Sequence, residues 1–301
     1  VMGRWMREVI SRHDRSMFSI YLISSCDPRQ FDALTTEFRT YADGFADISG
    51  LDDFAAARSI AEVDLDILVD LAGHTMDARP GIYAHQPART IITHLGYHGC
   101  LGMRSVDFKL TDRVADLEDA AQFQIEAPFA LNTCLFPFVR VTPSAAEPAD
   151  NLPELAGKFV IAAFTNVLKL SARCLNLWRR VLDALPEAIL LFSPLSATQR
   201  PGIERIMASA GIDASRLAFV NIPHQDNRWR ARYRLVDAVL DTFPYAGGDT
   251  TLAALDMGVP VVTLTGQRQS ERIGASILTH LNLDQTIANS CLLYTSDAAD
   301  E

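Results

Sequence analysis

The stretch from Asp241 to Pro260, DTFPYAGGDTTLAALDMGVP, sets two glycines and two threonines where a buried strand ends and a short helix begins. Asp249, Thr250 and Thr251 stand at the start of that helix, where their side chains can cap it. The first turn of a helix carries backbone N–H groups without intrahelical partners. Beyond a strand end, after Gly247 and Gly248, such groups make a ready place for a phosphate. The same residues also fit a plain capped helix in a parallel α/β sheet, and the stretch alone does not choose. Lys169 is the second candidate. The basic residues are nearly all Arg, and Lys occurs only at Lys109, Lys158 and Lys169. A lysine in the loop after a strand can set a compact point charge against an anion.

The elements that must position these groups alternate along the chain. Helical patterning covers Gly3–Arg12, Phe31–Tyr41 and Leu51–Glu62, and strand patterning covers Phe18–Ser25, Asp66–Ala72, Arg89–Leu95 and, briefly, Asp107–Leu110. After a Pro-rich segment, TPSAAEPADNLP, the alternation restarts. Strands are expected at Lys158–Phe164, Ala188–Phe192, Leu217–Val220, Ala238–Leu240 and Val261–Leu264. Helices are expected at Ser171–Leu185, Thr198–Ala210, Asn227–Leu235 and Glu271–Leu281. Near-continuous apolar strands between helices argue for parallel sheets covered on both faces. The expected organisation is two Rossmann-like α/β domains facing a cleft: an N-terminal domain over residues 1–141, a linker over 142–157 and a C-terminal domain over 158–290. Ligands of such sheets sit outside the carboxyl ends of the strands. The loops at Gly73–Thr75, Gly96–Gly102, Thr165–Lys169 and Gly247–Thr251 fall there.

Composition narrows the classes. The 301 residues are 49% hydrophobic, enough for two cores, and the net charge of −10 argues against a nucleic-acid binder. No apolar run is long enough to span a bilayer, so no membrane partner is expected. Five scattered cysteines show no metal spacing, which fits reduced thiols in a cytoplasmic protein and no metal site. The absence of GxGxxG after the first strand of either half argues against a dinucleotide oxidoreductase. The chain opens at Val1 inside an apparent helix, so the N-terminal domain reads as truncated. Residues 291–301, CLLYTSDAADE, can be back-translated to a sequencing adapter and read as translated read-through.

Four ordered motifs carry a resemblance: DILVDLAGHT (66–75), LGYHG (95–99), FTNVLK (164–169) and LDTFPYAGGDTTLAALDMGVPVVTL (240–264). Together they resemble the SPINDLY / O-GlcNAc transferase family, its bacterial members most, over residues 3 to 288. The resemblance implies a GT-B glycosyltransferase that moves a sugar, GlcNAc from UDP-GlcNAc above all, to Ser or Thr of a protein acceptor. It implies inversion, no cofactor and no metal, and tetratricopeptide repeats upstream in the full-length protein. Another donor or an Asn acceptor on the same fold, or a degenerate sugar-nucleotide-binding scaffold, remains open.

By the same resemblance Lys169 is the family's essential lysine, and Asn166 a polar residue of its loop. Gly248, Asp249, Thr250 and Thr251 form the diphosphate turn, with Asp249 expected to cap the helix and point away from the anion. Arg232 is a nucleotide-side arginine, or else lies on a solvated helix face. Trp229 stands where a donor-binding histidine is common, and either stacks on the base or packs between domains. Asp226 lies near another basic family position. Ala253 replaces an acidic residue that holds the donor ribose. In the first domain His74 is the candidate for hydrogen bonding to sugar or acceptor, with Tyr97, His98 and Gly99 in the cleft loop; His98 replaces a family proline. His13, His85, His94, His224 and His280 read as structural or exposed. A family histidine falls just upstream of Val1, so the fragment itself is expected to bind donor weakly and turn over poorly.

Overall fold

In the computed structural model the described residues are 2–138, 152–194, 197–222, 229–291 and 293–294. They fall into two compact units, Val1–Val139 and Arg140–Glu301. Most of the expected linker, residues 142–151, lies outside the described residues, and Pro153–Leu155 form a 3₁₀ turn.

Unit 1 runs α1 (Met2–Ser11), β1 (Tyr21–Ser24), α2 (Ala33–Tyr41), β2 (Gly44–Asp47), α3 (Asp53–Ala61), β3 (Ile67–Asp70), β4 (Thr90–Thr93), β5 (Phe108–Asp112) and β6 (Ala127–Leu131). Local chemistry sets the helix starts. Asp32 caps α2 by accepting from the Thr35 N–H at 2.8 Å, and Asp52 caps α3 by accepting from the Ala55 N–H at 2.7 Å. β1 and β2 pair with each other, and β3-β4-β5-β6 form a second sheet in sequence order, all parallel. The strand patterning did not reveal β2 or β6. GFAD carries a glycine and no apolar run, and APFAL carries Pro128, which an edge strand tolerates because one side needs no ladder hydrogen bond. The expectation of a sheet covered on both faces fails in this unit: Ile67 is 53%, Val69 43% and Phe129 53% exposed. The core lies on the other face, where Leu68 and Ile91 pack with Ala56, Ala57 and Ile60 of α3.

Unit 2 runs β7 (Val160–Ala163), α4 (Ala172–Ala184), β8 (Ile189–Phe192), α5 (Arg200–Ser209), β9 (Leu217–Phe219), β10 (Ala238–Leu240), α6 (Asp249–Asp256), β11 (Val261–Leu264), α7 (Ile273–His280) and the two-residue β12 (Ile287–Ala288). Every residue of β7, β8, β10 and β11 is buried, as continuous apolar strands between two helical layers require. Ser171 caps α4, whose Leu175, Trp178, Val181 and Leu182 fill the core on one side of the sheet. The strand order is β12-β11-β10-β7-β8-β9, all parallel. The chain therefore winds outward from β7 in one direction and then, from β10, in the other. That reversal is the topological switch of a doubly wound sheet, and it opens a crevice at the carboxyl ends of β7 and β10.

Trp229–Leu235 form a 3₁₀ helix in place of the expected α-helix; Asn227, Asp226 and His224 lie outside the described residues. In the segment read as adapter, Tyr294 is fully buried and donates to the Asp241 carbonyl at 2.9 Å, so its ring packs into unit 2. Residues 292 and 295–301 lie outside the described residues.

Candidate functional site

The crevice beside β7 and β10 is where unit 2 gathers its polar groups. After β7, Asn166 accepts from the Leu168 N–H at 3.0 Å and so caps a 3₁₀ turn, Val167–Lys169. That turn carries Lys169 back over the strand ends. Its Nζ donates to the Ala246 carbonyl at 3.2 Å and stands 4.3 Å from the Tyr245 ring centroid. Burial pushes the Lys169 ammonium below the ordinary lysine value, and the Asp241 carboxylate pulls it part of the way back.

After β10 the chain makes a tightly pinned loop. Ser171 Oγ donates to the Phe243 carbonyl at 2.6 Å, Thr242 Oγ1 to the Tyr245 carbonyl at 2.6 Å, and the Ala246 N–H to the Ser270 carbonyl at 2.9 Å. Loops that present reacting groups gain precision from such supporting bonds. At Gly247 an added Cβ would lie 2.5 Å from Thr250 Oγ1 and 2.9 Å from Thr251 Oγ1, so only glycine lets both hydroxyls close on the turn.

The helix start differs from its sequence reading. The cap of α6 is Gly248, without a side-chain cap bond; Asp249 is the first helical residue and not the cap. Its negative charge instead bears on the Arg232 guanidinium. Thr251 is buried and donates to the Gly247 carbonyl at 3.0 Å, a bond that closes the first turn. Thr250 and Thr251 line the recess together with Thr165, Asp241 and Thr242. Free N–H groups at a helix start beside hydroxyls are suited to an anion. Ala253 does not open onto that recess. It is fully buried in an apolar cluster with Tyr233 and Val239, so the substitution there alters packing first.

Arg232 is fully buried, which removes the solvated-face reading. Its guanidinium lies 4.4 Å from the Phe164 ring centroid and 5.6 Å from that of Trp229, and Nη1 reaches Ser193 Oγ at 3.4 Å. Nε and Nη2 have no hydrogen-bond partner among the described residues. A buried cation held between aromatic faces with donors to spare is suited to receiving an anion or a carbonyl oxygen. Trp229 is buried in an apolar cluster of unit 2, against the guanidiniums of Arg230 and Arg232. Arg230 is committed to an ion pair with Asp256.

Unit 1 gathers the other predicted group at the carboxyl ends of β3 and β4. Asp70 is buried and accepts from the Ala72 N–H (3.1 Å), the Gly73 N–H (2.9 Å), Thr93 Oγ1 (3.0 Å) and the Tyr83 hydroxyl (2.8 Å). These bonds fix the turn that presents His74. The His74 ring hydrogen-bonds the Leu101 carbonyl through Nε2 at 2.9 Å and meets Tyr97 edge-on at 5.3 Å. Gly73 takes φ +59°, and a Cβ there would strike Tyr97. His98 packs near Phe136 at 5.8 Å, and Gly99 lies under the Tyr97 ring. The two predicted groups thus assemble separately, one in each unit.

Sequence reading passed over the carboxylates that hold these loops, Asp70 and Asp241. Their shared signal is an aspartate directly ending an apolar strand, with a glycine three to six residues on. Gly96 gives a test of how tightly the unit 1 loops close. A Cβ at Gly96 would lie 1.8 Å from the Leu71 carbonyl oxygen, so backbone must move to admit it. Gly96→Ala is expected to destabilise unit 1 by about 1–3 kcal/mol, the usual cost of overpacking, measured as a lower urea midpoint.

The chain is 32% identical over 292 residues to the probable UDP-N-acetylglucosamine–peptide N-acetylglucosaminyltransferase SPINDLY of Arabidopsis thaliana, covering 93% of this chain and 31% of that protein. It is 26% identical over 310 residues to the Arabidopsis protein SEC, whose name gives it the same probable activity, with 99% of this chain covered and 31% of SEC. Among solved structures, a lysine-to-methionine mutant of the Thermobaculum terrenum O-GlcNAc transferase matches with TM-score 0.88 at 29% identity, over 99% of this chain and 56% of that one. The fold class is accordingly α/β of the GT-B type. This chain spans about a third of the length of its plant relatives. Residues 2–136 and 145–299 match glycosyl transferase family 41, and the chain belongs to that family.

Proposed function

We propose that this chain is the catalytic region of a glycosyltransferase that moves GlcNAc from UDP-GlcNAc to a serine or threonine hydroxyl of a protein. The observation that carries the reading is the place of Lys169, its ammonium held at the switch point of the unit 2 sheet beside the start of α6. In a single inverting displacement the acceptor oxygen bonds the anomeric carbon as the bond to the diphosphate breaks. The acceptor proton is lost, and UDP leaves with the bonding pair. Negative charge therefore grows on the diphosphate. Lys169 and the α6 N–H groups supply the fixed positive potential that this charge needs, in the role a divalent ion plays elsewhere. Thr250 offers its hydroxyl to the same oxygens, Thr251 holds the turn through its bond to the Gly247 carbonyl, and Asn166 lies in the loop that carries Lys169. Arg232, with two unpartnered donors among the described residues, is assigned to the nucleotide. His74 and Tyr97 are assigned to the sugar and acceptor side, with His98 and Gly99 shaping their loop.

The assigned partners are the nucleotide sugar and a protein acceptor, with acceptor choice resting on a tetratricopeptide array in the full-length protein. The five cysteines form no disulfide, which supports a reducing, cytoplasmic setting. No described helix is long and apolar enough to cross a membrane.

The test is donor turnover by the full-length protein across a panel of UDP- and GDP-sugars, with and without a chelator. Release of UDP from UDP-GlcNAc above the other donors, unchanged by chelation, is expected. Preference for another sugar would move the reading to a different donor. No turnover of any donor, with binding retained, would leave a sugar-nucleotide-binding scaffold.

A further inference from the structure

Asp241 is the last residue before the pinned loop, and it is 6% exposed. Its Oδ1 accepts from the Gly247 N–H at 2.7 Å and the Thr242 N–H at 2.8 Å, and its Oδ2 from Thr263 Oγ1 at 2.8 Å. One carboxylate thus ties together both ends of the loop after β10 and the neighbouring strand β11. Two glycines make room for it. A Cβ at Gly247 would lie 3.2 Å from Oδ1, and one at Gly274 would lie 2.6 Å from Oδ2. The loop it closes includes Ala246, whose carbonyl receives the Lys169 ammonium.

We propose that Asp241 is a positioning residue: through the Gly247 turn and the Ala246 carbonyl it fixes where the Lys169 ammonium stands. This inference rests on the assignment of Lys169 to the leaving diphosphate. Asp241 reaches no substrate atom itself; it acts through the lysine and the turn. An equivalent clamp serves unit 1, where Asp70 ties the Gly73 turn to Thr93 of the next strand. The two sheets therefore use one device to hold the loops that carry their site residues.

A neutral amide could make the same three hydrogen bonds. In Asp241→Asn the amide oxygen would accept both N–H groups, and the amide nitrogen would donate to Thr263 Oγ1, a hydroxyl that works as donor or acceptor. What the amide lacks is the charge. The carboxylate is buried against its own preference, since desolvation raises it to about 6 despite three donors and Lys169. The titratable groups that face it are Lys169 from the loop after β7, Cys174 from α4 and Tyr294. Burial drives the Cys174 thiol up to about 12 and the Tyr294 phenol upward as well, so both stay neutral and, among these described groups, Lys169 answers the charge.

With only three lysines, ¹³Cε-lysine labelling gives Lys169 a resolvable NMR signal of its own. In the wild-type chain that signal is expected to report a step near pH 6 as Asp241 ionises. In Asp241→Asn the step disappears and the Lys169 titration moves further down. Donor turnover by the full-length variant falls roughly tenfold in kcat, with KM changed far less. The fold at pH 7.5 is kept, as read by its urea midpoint. A Lys169 titration that ignores Asp241→Asn, or a variant with unaltered kcat, overturns the inference. A wild-type protein that turns over no donor overturns the assigned function instead, while the titration still decides whether Asp241 governs the lysine. If the variant does not fold, the wild-type step near pH 6 decides alone: its absence refutes the coupling.

Discussion

Lys169→Ala is expected to lower kcat for UDP-GlcNAc turnover on the order of 10²–10³-fold, with a small change in KM and a lowered unfolding midpoint, because Asp241 loses the cation that answers its charge. The magnitude follows from what the residue faces. Removing one preorganised group aimed at developing charge costs on the order of 10²–10³ in rate, because the loss falls mainly on the transition state. The ammonium is partly desolvated, which strengthens its pull on a diphosphate and explains its depressed pKa. It donates to one backbone carbonyl and makes no ion pair at bonding distance among the described residues, so its loss reaches the fold chiefly through the buried Asp241 charge. Lys169→Arg is not expected to restore the rate. The planar guanidinium is larger, and the site is built around a compact ammonium over Tyr245. Single-turnover donor hydrolysis by the full-length protein reads the chemical step directly. A variant within threefold of wild type would return Lys169 to the status of a loop lysine.

That lysine was legible in the sequence because it combined rarity with place, after a strand that had to be buried. The strands of unit 2 were legible for the same reason: KFVIAAF and VVTL leave no alternative to burial on both faces. Local patterning does not contain their order. The crevice exists because β10 returns to the other side of β7, a pairing between residues about 77 apart, as Ala238 opposite Ile161 shows. Short elements escaped because they carry no period. β12 is two residues long, and β6 contains the proline that patterning takes as a stop. At the helix start, Asp249 and the threonines looked like caps by type. Gly248 took the cap, in a loop that Asp241 holds through the Gly247 N–H, a tie that local sequence does not announce. Arg232 looked equally suited to solvent. Its burial between Phe164 and Trp229 comes from a 3₁₀ turn that an Arg-rich segment does not announce. Ala253 was read by its type, but the direction its side chain takes decides what it can do, and that direction is into the core.

The two units are expected to respond to acid in opposite senses. In unit 1, His94 is buried at the end of β4, and desolvation holds its imidazole down at about 4. Nδ1 has no partner among the described residues, so nothing offsets the cost of charging the ring. The unfolded chain takes up a proton near the ordinary value of about 6.5, and the folded unit resists until about 4. Between those values the unfolded state binds more protons, so stability falls as pH falls, by about 3 kcal/mol over the window. In unit 2 the sign reverses. Asp241 in the folded unit holds its proton up to about 6, whereas the unfolded carboxylate releases it near 3.8. Over that interval the folded state binds more protons, so stability rises as pH falls, also by about 3 kcal/mol. Urea unfolding between pH 4 and 7.5 separates the two if each unit has its own reporter. Trp5 is buried in unit 1 against Phe136, and the other two tryptophans, Trp178 and Trp229, are in unit 2. With Trp178→Phe and Trp229→Phe, fluorescence follows unit 1 alone, and its midpoint should drop on acidification. His94→Leu should flatten that curve, because an apolar side chain fills the site without a proton to bind. The Trp5→Phe variant follows unit 2, whose midpoint should hold or rise down to about pH 4 and lose that trend in Asp241→Asn. Curves that fall together for both units, with neither variant altering its slope, would show that neither buried group governs the acid response.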